Sequence, residues 1–246
     1  MKKRDPIEDL AHLRHEFGEH GGVNMSIEAS STFTVIDPET MPELFQGRKG
    51  PDKGCYLYGR HFNPTVYNLG RQMAALEGTE AAYCAASGMG AISGVVLGLC
   101  NAGDEVVASN AIYGGSYALL HDFLPAKCGM KTRFVDITDT DSVEAAINER
   151  TRLIFTESVS NPTLRVANIP RLAEIAAAKG VQLVVDNTFS PLVLRPAVLG
   201  ADVVVHSITK FISGASDIIA GAICGTEQFI GDLMDLHTGS LMLLGP

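Results

Sequence analysis

Two charged side chains closely follow strongly apolar segments of the sequence. Asp186 comes directly after residues 181–185, and Lys210 comes five residues after residues 201–205, 24 residues beyond the aspartate. A single lysine usually lies on the surface, but a charge beside a buried strand is costly unless it is paired. Because ligands of open α/β sheets bind at the carboxyl ends of the strands, we interpret both residues as candidates for one site.

A loop of small residues offers this site an anion-binding element. Ser87-Gly88-Met89-Gly90 follows a predicted strand and opens a predicted helix, whose N-terminus supplies N–H donors and partial positive charge. The glycines at 88, 90 and 94 do not have the dinucleotide-binding spacing. Glycines that serve only packing are the alternative. Glu157 and Asn161 follow another predicted strand, where a simple loop cap is the alternative.

One cofactor accounts for the aspartate, the lysine and the loop together. Pyridoxal phosphate needs a lysine for its Schiff base, an acid against its pyridinium nitrogen, and a phosphate cradle. Asp186 would keep the ring nitrogen protonated, and Lys210 would act as nucleophile and base. Ser207 and Thr209 flank the lysine and offer hydroxyl groups to the phosphate. The residues therefore predict a pyridoxal-phosphate site.

Apolar periodicity from residue 63 onward predicts alternating helices and strands. Strands buried on both faces that alternate with helices are typical of a mainly parallel α/β sheet. Helices are predicted over residues 63–78, 87–100, 113–123, 141–148 (capped by Asp141) and 169–179, and strands over residues 80–85, 104–109, 133–136, 152–156, 181–185, 201–205 and 218–223.

Residues 1–60 differ from the rest of the chain, because they carry several prolines and no long apolar period. We predict an extended arm with one short helix near residues 7–16. Such an arm cannot bury itself, so we expect it to lie on a neighbouring subunit. Residues 61–246 then form the cofactor-binding domain.

The composition argues against several classes of function. The 28 acidic and 19 basic residues give a net charge of −9, which disfavours nucleic acid or an anionic membrane as partner. No apolar run is long enough to span a bilayer. The five cysteines form no CxxC pair, which indicates free thiols of a reducing compartment, here the cytoplasm. His12, His15 and His20 lack a fourth zinc ligand, so no metal is predicted.

Several short stretches of the sequence are shared with one enzyme family. The stretches are Tyr58-Gly59-Arg60, Asn63-Pro64-Thr65, Leu76-Glu77-Gly78-Thr79-Glu80-Ala81, Ser87-Gly88-Met89, Tyr113-Gly114-Gly115, Glu157-Ser158, Asn161-Pro162-Thr163, Val185-Asp186-Asn187-Thr188 and His206-Ser207-Ile208-Thr209-Lys210. They resemble the Cys/Met-metabolism or trans-sulfuration family of pyridoxal-phosphate enzymes. The resemblance implies an aspartate-aminotransferase-like α/β fold (fold type I).

The resemblance also implies roles for individual residues. Lys210, Tyr113 and Asp186 are catalytic, with Tyr113 stacking on the ring; a core aromatic is the alternative for that tyrosine. Tyr58 and Arg60 reach the phosphate in the neighbouring subunit of a homodimer or homotetramer. The full set of implied cofactor contacts is Tyr58, Arg60, Ser87, Gly88, Met89, Tyr113, Glu157, Asn161, Asp186, Thr188, Ser207, Thr209 and Lys210.

Within the family, residues 15–26 and 239–246 most resemble the plant branch that cleaves methionine. The resemblance thus implies a lyase that converts L-methionine to methanethiol, 2-oxobutanoate and ammonia by α,γ-elimination. Cystathionine γ-synthase, cystathionine γ-lyase and O-acylhomoserine sulfhydrylase share these residues and stay open as alternatives, as does a non-catalytic remnant. Family members continue into a C-terminal domain, so we expect this sequence to be a fragment that is inactive by itself.

Overall fold

The computed structural model describes residues 5–12, 23–35, 37–46, 48–235, 242 and 244–245. Its α-helices are α1 (Pro6–His12), α2 (Met41–Phe45), α3 (Pro64–Glu77), α4 (Gly88–Leu99), α5 (Gly114–Ala118), α6 (Leu124–Cys128), α7 (Thr140–Ala146), α8 (Ile169–Lys179) and α9 (Glu227–Asp235). Its strands are β1 (Ala81–Ala85), β2 (Glu105–Ser109), β3 (Lys131–Val135), β4 (Thr151–Glu157), β5 (Gln182–Asp186), β6 (Val203–Ser207) and β7 (Gly221–Gly225).

The seven strands form one sheet in the order β1-β7-β6-β5-β4-β2-β3. The neighbours from β6 to β3 pair in parallel, whereas β7 pairs antiparallel with both β1 and β6. The prediction of a mainly parallel α/β sheet is therefore confirmed. Because β4, β5 and β6 are adjacent and parallel, their carboxyl ends lie side by side at one edge of the sheet.

Apolar side chains cover both faces of the sheet. Successive residues of a strand point to opposite faces. In β6, Val203 and Val205 belong to the buried cluster that includes Val95 of α4. Val204 belongs instead to the cluster that includes Leu172 of α8. Helices thus shield the sheet from both sides, which holds the strand ends in fixed positions.

Helix α3 shows how closely local sequence signals determine an element. Asn63 caps its N-terminus by accepting hydrogen bonds from the backbone N–H groups of Thr65 and Val66. Gly78 ends the helix with a positive φ of 78°, a conformation that glycine adopts without strain. The Asn63 side chain also donates to Glu28 O at 2.7 Å, which ties the preceding segment to the helix.

Several predicted boundaries are wrong. The cap of α7 is Asp139, which accepts from Ser142 N, and not Asp141. The helix predicted over residues 113–123 contains a π-helical turn at Leu119–Phe123 and continues as α6. The last strand begins at Gly221 rather than at residue 218, and α9 was not predicted.

The prediction of a single short helix in the N-terminal arm is wrong, because the arm also contains α2 and 3-10 helices at Pro38–Thr40 and Pro51–Lys53. The first helix of the arm spans Pro6–His12, and the remainder of the helix predicted to residue 16 lies outside the described residues, as do His15 and His20. A single antiparallel bridge joins Thr32 to Tyr58. Contact of this arm with a neighbouring subunit stays a prediction. Within the described ranges, no helix is long and apolar enough to cross a membrane.

Candidate active site

A cavity of about 1060 Å³ opens at the carboxyl ends of β4, β5 and β6, beside the first turn of α4. Of the thirteen residues that the sequence proposes for the cofactor, only Tyr58 and Arg60 are absent from its walls. The cavity is thus lined by Ser87, Gly88, Met89, Tyr113, Glu157, Asn161, Asp186, Thr188, Ser207, Thr209 and Lys210.

The N-terminus of α4 packs unusually closely against the strands below it. Ser87 caps the helix, because its Oγ accepts from Gly90 N at 2.9 Å. A Cβ added to Gly88 would stand 2.6 Å from Ser207 Cβ, and one added to Gly221 would stand 2.9 Å from Gly88 N. Glycine is required at both positions, since any side chain would push the helix N-terminus out of place. The first-turn N–H groups, which have no partner within a helix, are thereby fixed at the cavity.

The Asp186 carboxylate lies on the cavity wall and is only 8% exposed. Its Oδ1 accepts from Thr188 N at 2.9 Å. Burial raises the pKa of this carboxyl group, whereas hydrogen bonds from Thr188 and the charge of His206 act in the opposite direction. A buried carboxylate of this kind is suited to pair with a cationic group of a ligand.

A hydrogen-bonded turn places Lys210 at the cavity. Lys210 N donates to Ser207 O at 3.2 Å, and Ser207 N donates to Thr188 Oγ1 at 2.7 Å. The lysine is exposed to the cavity. Because Thr188 contacts both Asp186 and the turn, it fixes the aspartate and the lysine relative to each other.

The Thr209 hydroxyl is engaged in a backbone contact rather than free for a ligand. It donates to Ala220 O at 3.1 Å and accepts from Ala220 N at 3.0 Å. A threonine hydroxyl has one donor and two acceptor positions, so its donor is already used. Thr209 therefore joins the lysine turn to the segment before β7, whereas sequence reasoning had assigned its hydroxyl to the phosphate.

Glu157, which pairs with Asp186 across β4 and β5, orients the backbone on its side of the cavity. Its Oε1 accepts from Tyr113 N at 2.6 Å, and its Oε2 accepts from Asn161 N at 2.8 Å. Burial raises the pKa of Glu157 to about 7, although both hydrogen bonds favour the ionised form. Tyr113 itself is 50% exposed, so the alternative of a core aromatic is wrong. The glutamate thus holds the tyrosine at the cavity mouth.

Tyr58 and Arg60 lie outside the cavity of their own chain. The Arg60 guanidinium stands 5.1 Å from the centre of the Tyr58 ring, a cation–π contact. Both residues are exposed. Their assigned role in a neighbouring subunit stays a prediction.

Sequence reasoning missed the apolar side of the cavity. Phe189 and Phe211 pack edge to face with ring centres 5.4 Å apart, and Ile218 and Ile219 line the same cavity. We call these four residues the apolar wall. The sequence predicted residues 218 and 219 to be the start of a strand. The two phenylalanines are 22 residues apart in the chain, so only the fold brings these four side chains to one cavity. The remaining unpredicted lining residues are Ile92, Val159, Gly214, Ser216 and Asp217.

Comparison with known proteins agrees with this geometry. The profile of the family described as "Cys/Met metabolism PLP-dependent enzyme" matches residues 10–242. The chain belongs to this family. It is 64% identical over 243 residues to methionine gamma-lyase of Arabidopsis thaliana, which covers 98% of this chain and 55% of the plant protein.

Solved structures show the same fold. The crystal structure of metB from Corynebacterium glutamicum superimposes with a TM-score of 0.87 at 32% identity, over 99% of this chain and 60% of that one. A metY structure from Campylobacter jejuni carries N′-pyridoxyl-lysine-5′-monophosphate and gives a TM-score of 0.86 at 30% identity, over 94% of this chain and 56% of that one. The α/β fold of type I is therefore confirmed. The chain spans 55–60% of the length of the first relatives it matches.

The residues of the cavity fit pyridoxal phosphate. The cofactor combines a phosphate, a basic ring nitrogen and an aldehyde. The cavity offers each a matching group: the N-terminus of α4, the buried carboxylate of Asp186 and the amine of Lys210. The close approach permitted by Gly88 and Gly221 leaves the helix N-terminus open to an anion.

Proposed function

We propose that the protein is a pyridoxal-phosphate-dependent lyase that eliminates methanethiol from L-methionine and, with the uptake of one water, releases 2-oxobutanoate and ammonia. The observation that carries the proposal is the meeting of Lys210, Asp186 and the N-terminus of α4 in one cavity. The 64% identity to a plant methionine gamma-lyase supports this substrate.

The cavity residues divide the work between them. When bound, pyridoxal phosphate supplies an electron sink for bonds broken at the amino-acid Cα. Asp186 would hold the proton on the ring nitrogen, and Lys210 would hold the cofactor and move the proton at Cα. Tyr113, whose backbone N–H is held by Glu157, would stack on the cofactor ring at the cavity mouth. Ser87, Gly88 and Met89 receive the phosphate.

The apolar wall favours methionine over charged substrates. The tail of methionine ends in an uncharged thioether, whereas cystathionine ends in a second amino-acid group with two charges. Phe189, Phe211 and their isoleucine neighbours offer contact area to a thioether but no partner to a carboxylate. This difference supports the lyase over the cystathionine enzymes.

We further propose that Tyr58 and Arg60 serve the phosphate site of a neighbouring subunit in a homodimer or homotetramer. Their exposure and their absence from their own cavity support this assignment. A cytoplasmic location is supported by five free cysteines, three of them buried, which are typical of a reducing compartment.

A side-by-side product assay tests the proposal. The full-length protein with pyridoxal phosphate is given methionine, cystathionine or O-acetylhomoserine plus sulfide, and methanethiol, cysteine, homocysteine and 2-oxobutanoate are measured. We expect methanethiol and 2-oxobutanoate from methionine as the fastest reaction, and none from a Lys210→Ala variant. Faster release of cysteine from cystathionine, or faster sulfide incorporation, would assign the protein to another branch of the family.

A further inference from the structure

Three strand ends beneath the cavity each carry a pair of adjacent polar residues. Glu157, Asp186 and Ser207 line the cavity. Their sequence neighbours Ser158, Asn187 and His206 are 0–1% exposed. Consecutive strand residues point to opposite faces of a sheet. Ser158, Asn187 and His206 therefore lie on the face that points away from the cavity.

A buried hydrogen-bond network joins these far-side residues to Glu77, the last residue of α3. Glu77 Oε1 accepts from Asn187 Nδ2 at 2.9 Å and lies 2.7 Å from His206 Nε2. Ser158 and Ser190 complete the network by donating to Asn187 Oδ1, each at 2.8 Å. Glu77 and His206 are each only 1% exposed.

Stability alone does not explain this arrangement. Glu77 Oε2 and His206 Nδ1 are buried without a hydrogen-bond partner among the described residues. An unsatisfied buried polar atom destabilises a fold, and apolar side chains of similar volume in place of a buried ion pair are often neutral or stabilising. A buried polar pair that leaves two such atoms therefore calls for a functional explanation.

His206 is placed to act on Asp186. Asp186 pairs with Val205 across β5 and β6, and Asn187 N donates to Val205 O at 2.9 Å, so the peptide units of His206 and Asp186 are diagonal neighbours. The Coulombic interaction with His206 lowers the pKa of Asp186, against the rise caused by burial.

Other ionisable groups surround the pair. Arg195 lies beside the last turn of α3, where its Nη2 donates to Ala75 O at 2.8 Å and pairs with Asp9 Oδ2 at 3.3 Å. Cys84 and Cys224 lie on the same face of the sheet as His206, and burial raises the pKa of both thiols, so they stay neutral. On the cavity face, Glu157 is near enough for the Asp186 charge to raise its pKa, and Lys210 shares the cavity.

We propose that His206 is a positioning residue for Asp186: an imidazolium, held by Glu77 behind the sheet, that keeps the Asp186 carboxylate negatively charged at the cavity wall. The benefit to catalysis rests on the function proposed above, because an ionised Asp186 is what holds the proton on the cofactor ring nitrogen. The electrostatic effect itself exists without cofactor or substrate.

The test measures the ionisation of Asp186 in the cofactor-free protein, by carboxyl ¹³C NMR with the signal assigned through Asp186→Asn. His206→Gln keeps a donor for Glu77 but removes the charge. Glu77→Gln keeps the acceptor but removes the carboxylate that retains a buried imidazolium. Both variants should raise the pKa of Asp186 by about one unit, a tenfold change in its proton affinity. The double variant should raise the pKa of Asp186 by no more than either single variant does.

Ser190→Ala is the matched control, because it removes a network hydrogen bond without touching the charged pair. It should lower the unfolding midpoint and leave the pKa of Asp186 unchanged. If His206→Gln only destabilises the fold, the network is structural and the proposal is overturned. A shift in His206→Gln that is absent in Glu77→Gln would overturn it as well, because the imidazole would then hold its charge without the carboxylate. Since no cofactor is present, failure here is separate from failure of the proposed reaction.

Discussion

Replacement of Gly221 by alanine probes the phosphate-binding geometry from outside the cavity. Gly221 begins β7 and lies beneath the turn into α4. A Cβ at this position would stand 2.6 Å from the Ser87 carbonyl carbon and 2.9 Å from Gly88 N. The added methyl group therefore displaces the N-terminus of α4 without removing any group that contacts a ligand.

The size of the effect follows from these distances. Non-bonded carbon atoms attract at about 3.5–4.0 Å, so the Ser87–Gly88 backbone must move by roughly 1 Å. Overpacking of this kind costs about 1–3 kcal/mol of stability. Loss of one hydrogen bond to a charged phosphate costs about 1.5–3 kcal/mol, which corresponds to a cofactor affinity weaker by a factor of about 10 to 150.

The assay is a titration of the cofactor-free protein with pyridoxal phosphate and with pyridoxal, which lacks the phosphate. Gly221→Ala should weaken the binding of pyridoxal phosphate strongly and the binding of pyridoxal much less. Gly231→Ala is the matched control, because a Cβ there meets no atom within 4 Å and the residue lies within α9. It should leave both affinities unchanged and stabilise the fold slightly. Equal affinities of Gly221→Ala and the unchanged protein for pyridoxal phosphate would refute the reasoning.

Three further outcomes are expected. Burial raises the pKa of Glu157 to about 7, so the folded protein binds this proton more tightly than the unfolded chain does. Ionisation of Glu157 should therefore lower the free energy of unfolding by up to about 3 kcal/mol as the pH rises from about 4.5 to 7. Glu157→Gln should remove this pH dependence in urea unfolding, and an unchanged pH dependence would contradict the argument. A thiol reagent should modify Cys55 and Cys128 in the folded protein, and all five cysteines only in denaturant, since the other three are buried; fast modification of a third thiol would contradict the burial. Mixing Arg60→Ala with Lys210→Ala subunits should restore one intact site per mixed dimer, and an absence of activity after proven subunit exchange would confine Arg60 to its own chain.

The sequence predicted those features that depend on neighbours along the chain. Asn63 and Gly78 bound α3 as their types require, and the apolar segments became strands. Asp186 was predictable as a site residue because a carboxylate directly after a strand of mostly apolar residues needs a partner, and the fold supplies one edge where such residues meet. The assignment of Tyr113 to the cofactor ring came from the family resemblance and stays a prediction, since nothing local distinguishes that tyrosine from a core residue.

Contacts between distant segments were beyond prediction. Glu157 holds Tyr113 across 44 residues, and Glu77 meets His206 across 129 residues. Neither pair leaves a periodic signal. Sequence reasoning assigned the Thr209 hydroxyl to the phosphate because Thr209 lies next to Lys210 in the chain. Spacing along the chain does not reveal that this hydroxyl donates to Ala220 O.

Glu157, Asp186 and Thr188, which we call the floor of the cavity, are held differently from the apolar wall, and this difference bears on specificity. The floor is fixed by backbone hydrogen bonds to Glu157, Asp186 and Thr188. In the wall, Phe211 and Ile219 are 60% and 70% exposed, and side chains so exposed are available to a ligand or to a covering segment. The floor supplies groups that every pyridoxal-phosphate reaction on an amino acid needs. Under the proposed function, we therefore expect selection among sulfur amino acids to come from contacts between the substrate tail and the apolar wall.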